Sequence, residues 1–174
     1  MGQLIRSAMA AMAFAAIVLT AGADAGVAQS TQVAFAGLKQ DPTLPVNVTA
    51  DQLKVNQAEG TAVFSGHVIV GQGKMRLAAP LVRVEYDKTA DGGNGRISKL
   101  FASGGVTLNT GTEAAEAKEA TYAVSTGKVV MTGDVLLTQG QNAMSGQKLM
   151  IDLTQGTGQM DGRVQTIFQP KSAP

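Results

Sequence analysis

The sequence predicts an all-β fold, an elongated antiparallel architecture built by stacking copies of one short unit. Three observations predict it. The stretches FSGHVIVGQG (64–73), ASGGVTLNTG (102–111) and MTGDVLLTQG (131–140) share one outline, apolar and polar residues alternate around each of them, and glycines recur at regular spacing.

From the N-terminus, the first element is a targeting segment. One positive charge at Arg6 precedes the apolar run MAAMAFAAIVLT (9–20), and small residues follow, as in a secretory signal peptide cut between about 23 and 29. The run is shorter than the roughly 20 residues that span a bilayer, which argues against a retained anchor. Residues 1–28 are therefore assigned to a cleaved signal, 29–44 to a flexible N-terminal segment, 45–169 to the β domain and 170–174 to a flexible tail. A cleaved signal implies work outside the cytoplasm. The 174 residues contain no cysteine, so an oxidising compartment supplies no staple, and a domain of this size buries a core without one. Net charge is +1 and stays so after cleavage, because Arg6 and Asp24 leave together. No cluster of Lys and Arg suggests nucleic acid. With no tryptophan and few aromatics, a stacking platform is also disfavoured.

Aligned on Gly66, Gly104 and Gly133, the repeat holds position by position. Two residues before the glycine stand Phe64, Ala102 and Met131; two after stand Val68, Val106 and Val135; four after stand Val70, Leu108 and Leu137. This is the period of a strand with one buried face. A small residue follows thirteen places on, as Ala79, Ala117 and Gly146, and a second strand comes after it. There the same face carries Val82, Val84 and Tyr86, then Ala120, Tyr122 and Val124, then Leu149, Ile151 and Leu153.

Half-units stand at the two ends. Residues 46–57 carry the second-strand pattern, with Leu53 and Val55 in the places of Val82 and Val84, and Met160, Gly162 and Val164 restate the first-strand pattern. The first period exceeds the next, 38 residues against 29, and the excess falls in 87–96, a polar, glycine-rich hairpin tip. Residues 112–121, TEAAEAKEAT, have helix-forming composition, but their register matches strand positions in the other units and they are read as strand. Gly71-Gln72-Gly73 is a turn between strands, since no helix follows to make it a phosphate loop.

In order and spacing, several stretches resemble the LptA/OstA-like family of periplasmic lipopolysaccharide-transport proteins. They are Ala50-Asp51-Gln52-Leu53, Phe64-Ser65-Gly66-His67-Val68-Ile69-Val70 with Gln72-Gly73, Met131-Thr132-Gly133-Asp134-Val135, and Arg163-Val164-Gln165-Thr166-Ile167-Phe168. The similarity runs from about residue 45 to 168. It implies a β-jellyroll whose sheets part to leave an apolar groove for lipid A acyl chains. It also implies end-to-end joining of copies, an LptC-like partner at the inner membrane, an LptD-like partner at the outer membrane, and no catalytic activity. The chain departs from the family at His67, where asparagine is usual, and in the insertion after Tyr86; neither touches the apolar face.

The residues themselves offer little for catalysis. His67 is the one histidine and sits at a strand end, which with no cysteine leaves no zinc set, and the carboxylates lie scattered near turns. No cofactor is expected. The candidates for groove or core are Phe64, Val68, Val70, Val84, Tyr86, Val106, Leu108, Tyr122, Val124, Met131, Val135, Leu137, Ile151 and Leu153. Periodicity alone favours core filling over a lipid groove; the resemblance reverses that order. Methionines 75, 131, 144 and 160 add adaptable apolar surface. For end-to-end pairing the candidates are Val46, Val48, Leu53 and Val55 at one end and Val164, Ile167 and Phe168 at the other.

The function expected is a periplasmic carrier that bridges lipopolysaccharide from inner to outer membrane. Two alternatives stand beside it. One is an inner-membrane-anchored lipid acceptor of the same fold, which would keep its N-terminal segment; the other is a polymerising β-repeat protein with a solid core and no cargo.

Overall fold

A computed structural model describes residues 31–34, 39, 41–88 and 94–168. The segment assigned from sequence to a signal peptide, the tip of the insertion and the C-terminal tail lie outside the described residues. The strands are β1 (Thr31–Ala34), β2 (Asn47–Thr49), β3 (Gln52–Asn56), β4 (Thr61–Gln72), β5 (Met75–Lys88), β6 (Asn94–Asn109), β7 (Glu113–Ala123), β8 (Lys128–Gln139), β9 (Asn142–Asp152), β10 (Thr157–Asp161) and β11 (Gln165–Ile167). The only helical turn among the described residues is a 3-10 turn at Val124–Thr126. As the alternation predicts, 113–121 falls in strand β7, because the alanines that favour a helix here alternate with charge at period two.

All pairings are antiparallel, and the sheet runs β1-β10-β9-β8-β7-β6-β5-β4-β2 without closing on itself. β3 joins β4 beside β2, and β11 joins β9 beside β10. The meander is bent along one line. Register shifts fall between Ser65 and Val68, Ser103 and Val106, and Thr132 and Val135, so a Gly-Xaa pair faces a single residue of the neighbouring strand. Both members of each pair take positive φ: Gly66 and His67, Gly104 and Gly105, Gly133 and Asp134, and again Gly162 and Arg163. Glycine is needed first in each pair because a Cβ there would run into the residue across the bulge. At Gly133 it would lie 2.9 Å from Lys118 Cβ, and at Gly162 2.7 Å from Gln147 Cβ.

These bulges divide every long strand into two halves and the sheet into two walls. One wall contains 61–65, 81–85, 99–103, 119–123, 128–132, 148–152 and 157–161; the other contains 68–72, 75–79, 106–109, 113–117, 135–139 and 142–146. On the bulged strands two residues lie within the bulge, so the inward face continues at even spacing. Phe64, Val68 and Val70 therefore keep one face, and so do Met131, Val135 and Leu137. On the partner strands a single residue lies opposite and the inward parity switches, as from Leu77 and Ala79 to Val82 and Val84 on β5. The small residues Ala79, Ala117 and Gly146 pair with Val68, Val106 and Val135 beside the bend, where the walls converge. At Gly146 a Cβ would come 2.7 Å from Met160 Cγ and 3.0 Å from the Asp161 carbonyl oxygen.

The core lies between the walls and runs through the whole stack. Burial of each large aliphatic side chain there contributes about 1.5–3 kcal/mol, so this interior is the principal source of stability. Two details differ from the repeat as read from sequence. Val124 and Leu153 occupy turns rather than strands, because the 3-10 turn and the 153–156 turn end their strands early; both remain buried. In addition, β1 lies inside the segment 29–44 that composition marks as flexible. Backbone pairing with the edge of β10 forms it, and no hydrophobic pattern announces such a strand.

Candidate functional site

The apolar interior is the largest feature that the fold constructs. Twelve of the fourteen interior candidates are buried; Phe64 and Tyr86, the exceptions, are half-buried and pack against the others. The opposite face is plainly different: Ile69 is 47% exposed and Leu136 42%, while their neighbours Val68, Val70, Val135 and Leu137 are at 1% or less. Several interior residues stood outside the candidate set, among them Met75, Leu77, Leu100, Val129 and Met160. Leu100, Val129 and Met160 share the parity of the apolar positions on their own strands, which was the signal that could have found them; Met75 and Leu77 do not share that of Val84, because the inward parity switches on β5 beside Pro80. The interior is filled by side chains: Val70, Met75, Val82, Val84, Val129, Met131, Leu149 and Met160 expose nothing.

Opposite the bend, the two walls end in free lips made of hairpin tips. A side-chain bond crosses them: the Tyr122 hydroxyl donates to Gln72 Oε1, joining residues 50 apart on different walls. The Gln72 amide Nε2 in turn donates to the carbonyls of Pro42 (3.1 Å) and Leu44 (2.8 Å). This lays the 42–44 backbone across the mouth. Both side chains of the bond are about 1% exposed, and burial pushes the Tyr122 phenol up to about 12. A cavity of ≈770 Å³ lies under this strap, lined by 42–46, Asp87, Arg96, Ile97, Val124 and Ser125.

Further along the lip, Glu113 is 5% exposed and accepts a bond from Gln139 Nε2 at 2.8 Å. Its second oxygen, Oε2, has no partner among the described residues. The sequence reading placed Gln72 in a turn, whereas it ends strand β4, and it passed over Glu113. Each stands at an inward position of its strand, so a polar residue on an apolar face was the available signal.

The titratable residues have structural tasks. Across the first bulge, His67 Nδ1 lies 2.7 Å from Asp51 Oδ2, both well exposed, while the Asp51 N–H donates to the Gly66 carbonyl at 2.9 Å. The third unit places the opposite arrangement at the same two positions: Lys118 Nζ stands 2.6 Å from Asp134 Oδ2. There the lysine holds the Asp134 carboxyl below the usual carboxylate range, and the carboxylate raises Lys118. Asp152 accepts bonds from the Thr154 hydroxyl and amide and the Gln155 amide, and these hold its carboxyl low. No group of three His, Asp or Glu side chains gathers among the described residues. No helix among them is long and apolar enough to cross a membrane.

The residues set aside for end pairing occupy the sheet ends. Val46, Val48 and Val164 are half-buried against the core, whereas Leu53, Val55, Ile167 and Phe168 are more than half exposed. β2 and β3 pair only with β4, and β11 only with β9, among the described residues.

Residues 47–157 match the family described as LptA/(LptD N-terminal domain) LPS transport protein. The chain belongs to this family. An uncharacterized protein of Rhizobium meliloti is 30% identical over 170 residues, which is 94% of this chain and 91% of that protein. The lipopolysaccharide export system protein LptH of Pseudomonas aeruginosa is 26% identical over 153 residues, 77% of this chain and 84% of LptH. The crystal structure of LptH is described as that of the LptA-homologous periplasmic component of the lipopolysaccharide transport device. It superposes with a TM-score of 0.66 at 21% identity, covering 75% of this chain and 99% of LptH, and so shows the shared fold. This LptA-like chain is thus an unclosed, bent β-jellyroll of a lipopolysaccharide-transport family, as the sequence resemblance implies.

Proposed function

We propose that the chain carries lipopolysaccharide across the periplasm, holding lipid A acyl chains between its two walls and passing them from an LptC-like acceptor at the inner membrane to an LptD-like receiver at the outer membrane. The observation that carries this reading is one continuous apolar interior, lined by every strand from β4 to β10, whose lips no backbone pairing joins among the described residues. Each acyl methylene moved from water into such an interior gains about 0.8 kcal/mol. Side chains occupy that space in the closed form, so acyl chains enter when the lips part.

The mouth is built for this. Parting it breaks the Tyr122–Gln72 bond, and the return on that cost is water for the orphaned oxygen of Glu113. Met75, Met131, Met144 and Met160 line the interior with unbranched side chains that repack around chains of differing shape. Copies and partners join by strand addition at the sheet ends, where β2, β3 and β11 present free backbone edges.

Photo-crosslinkers at Val70 and Leu137, facing inward, and at Ile69 and Leu136, facing outward, test the reading in periplasmic protein. Mass spectrometry of lipopolysaccharide adducts at the inward pair alone is the expected result. Adducts at the outward pair alone, or clean protein at all four positions, would sink lipid carriage and leave a polymerising β-protein without cargo.

A further inference from the structure

The repeat states what should stand beside β10, and β1 stands there instead. Residues 157–161 precede Gly162 as 61–65 precede Gly66, a displacement of 96 residues. In the first unit, 61–65 pair with β3, Leu53 opposite Phe64 and Asn56 opposite Thr61. Carried forward, the β3 of a second copy would set its Leu53 opposite Met160 and its Asn56 opposite Thr157. β1 sets Thr31 opposite Met160 and Ala34 opposite Thr157, antiparallel as β3 would be. The same displacement takes β2, which pairs Thr49 with Ile69 and Asn47 with Gly71, onto Gln165 and Ile167 of β11, and that edge carries no strand among the described residues.

We propose that β1 is a self-cap: it occupies, residue for residue, the place of a second copy's 53–56, and end-to-end joining requires its displacement. The inference rests on the strand-addition reading above and adds the competitor to it. The open edge of β11 gives the incoming copy a foothold through its β2, after which its β3 exchanges with β1 along β10. Backbone bonds lost and gained in that exchange are equal in kind. The decision between the two states therefore rests on the added β2–β11 pairing and on protein concentration. In the unjoined chain β1 shields half of an edge that would otherwise template unwanted pairing.

The test compares association of three forms of the mature chain by sedimentation velocity over a concentration series, with circular dichroism to verify the fold. The first is wild type. The second lacks residues 31–34, and the third carries Gln32→Cys and Gln159→Cys, which oppose each other in register in a chain with no other cysteine. If the cap is closed nine times in ten, its deletion lowers the apparent dissociation constant about tenfold. The oxidised pair should abolish joining and dithiothreitol should restore it. Equal association of all three forms, or weaker association of the deletion, would overturn the cap and leave strand addition standing. Association by none of them, the deletion included, would overturn both.

Discussion

Removing the Tyr122 hydroxyl tests whether the walls are tied at the mouth. Tyr122→Phe keeps the ring and deletes the donor to Gln72 Oε1, leaving that acceptor in a site where both side chains are about 1% exposed. A buried acceptor deprived of its partner costs about 1–3 kcal/mol. Here the lower half of that range applies, because Gln72 keeps its two bonds from Nε2 to Pro42 and Leu44 and stays fixed. A loss of about 1.5 kcal/mol lowers the melting temperature of a domain this size by about 5 °C. Urea denaturation gives the free energy directly and calorimetry gives the temperature. The half-buried Tyr86, changed to Phe, serves as control and should move stability by less than about 0.5 kcal/mol. Because the bond crosses the lips, Tyr122→Phe should also raise lipopolysaccharide crosslinking at Val70. A variant as stable as wild type would refute the account of the mouth.

The remaining expectations concern pH, the orphaned carboxylate and the bend. Since burial raises the Tyr122 phenol to about 12, the unfolded chain gives up this proton near pH 10 while the folded chain keeps it. Its contribution is complete below about pH 10 and is lost toward pH 12. Wild type should fall more steeply there than Tyr122→Phe in denaturation series at each pH. Asp152 has the opposite sign. Its lowered carboxyl stabilises the fold above the ordinary carboxylate range, and that contribution disappears on acidification, so Asp152→Asn should flatten the acid limb of the stability profile. Glu113→Gln removes a charge with an unpartnered oxygen and should stabilise the closed form by about 1 kcal/mol, read from urea midpoints. Gly146→Ala drives a methyl against Met160 and the Asp161 carbonyl and should cost about 1–3 kcal/mol. Met160→Ala in the same chain should return part of that loss in a double-mutant cycle.

Much of this arrangement was legible in the residues. Period-two alternation gave the strands and the inward faces, continuous through the bends of β4, β6 and β8, where two residues lie within each bulge, and switching parity on β5, β7 and β9, where one residue lies opposite. The bulges were visible as aligned glycines, since a Cβ at Gly133 or Gly162 collides with the strand beside it. Periodicity reports which side of a strand is apolar. It does not report which two strands face each other across a bent sheet, so the Tyr122–Gln72 bond between residues 50 apart could not be read. β1 was illegible for another reason: an open edge accepts almost any extended backbone, and its pairing leaves no mark in side-chain pattern. The place of Glu113 was readable from parity and was missed because the segment around it invited a question about helix instead.

The repeat has a consequence for length. Each 29-residue repeat contributes one hairpin, and neighbouring strands lie about 4.8 Å apart, so a repeat extends the stack by about 10 Å. Duplicating residues 104–132 would insert one such hairpin between two bends of identical geometry, with every inward residue still inward. The chain is in this sense a ruler graduated in hairpins, and the distance it spans is set by counting repeats, independently of what any one repeat is made to hold.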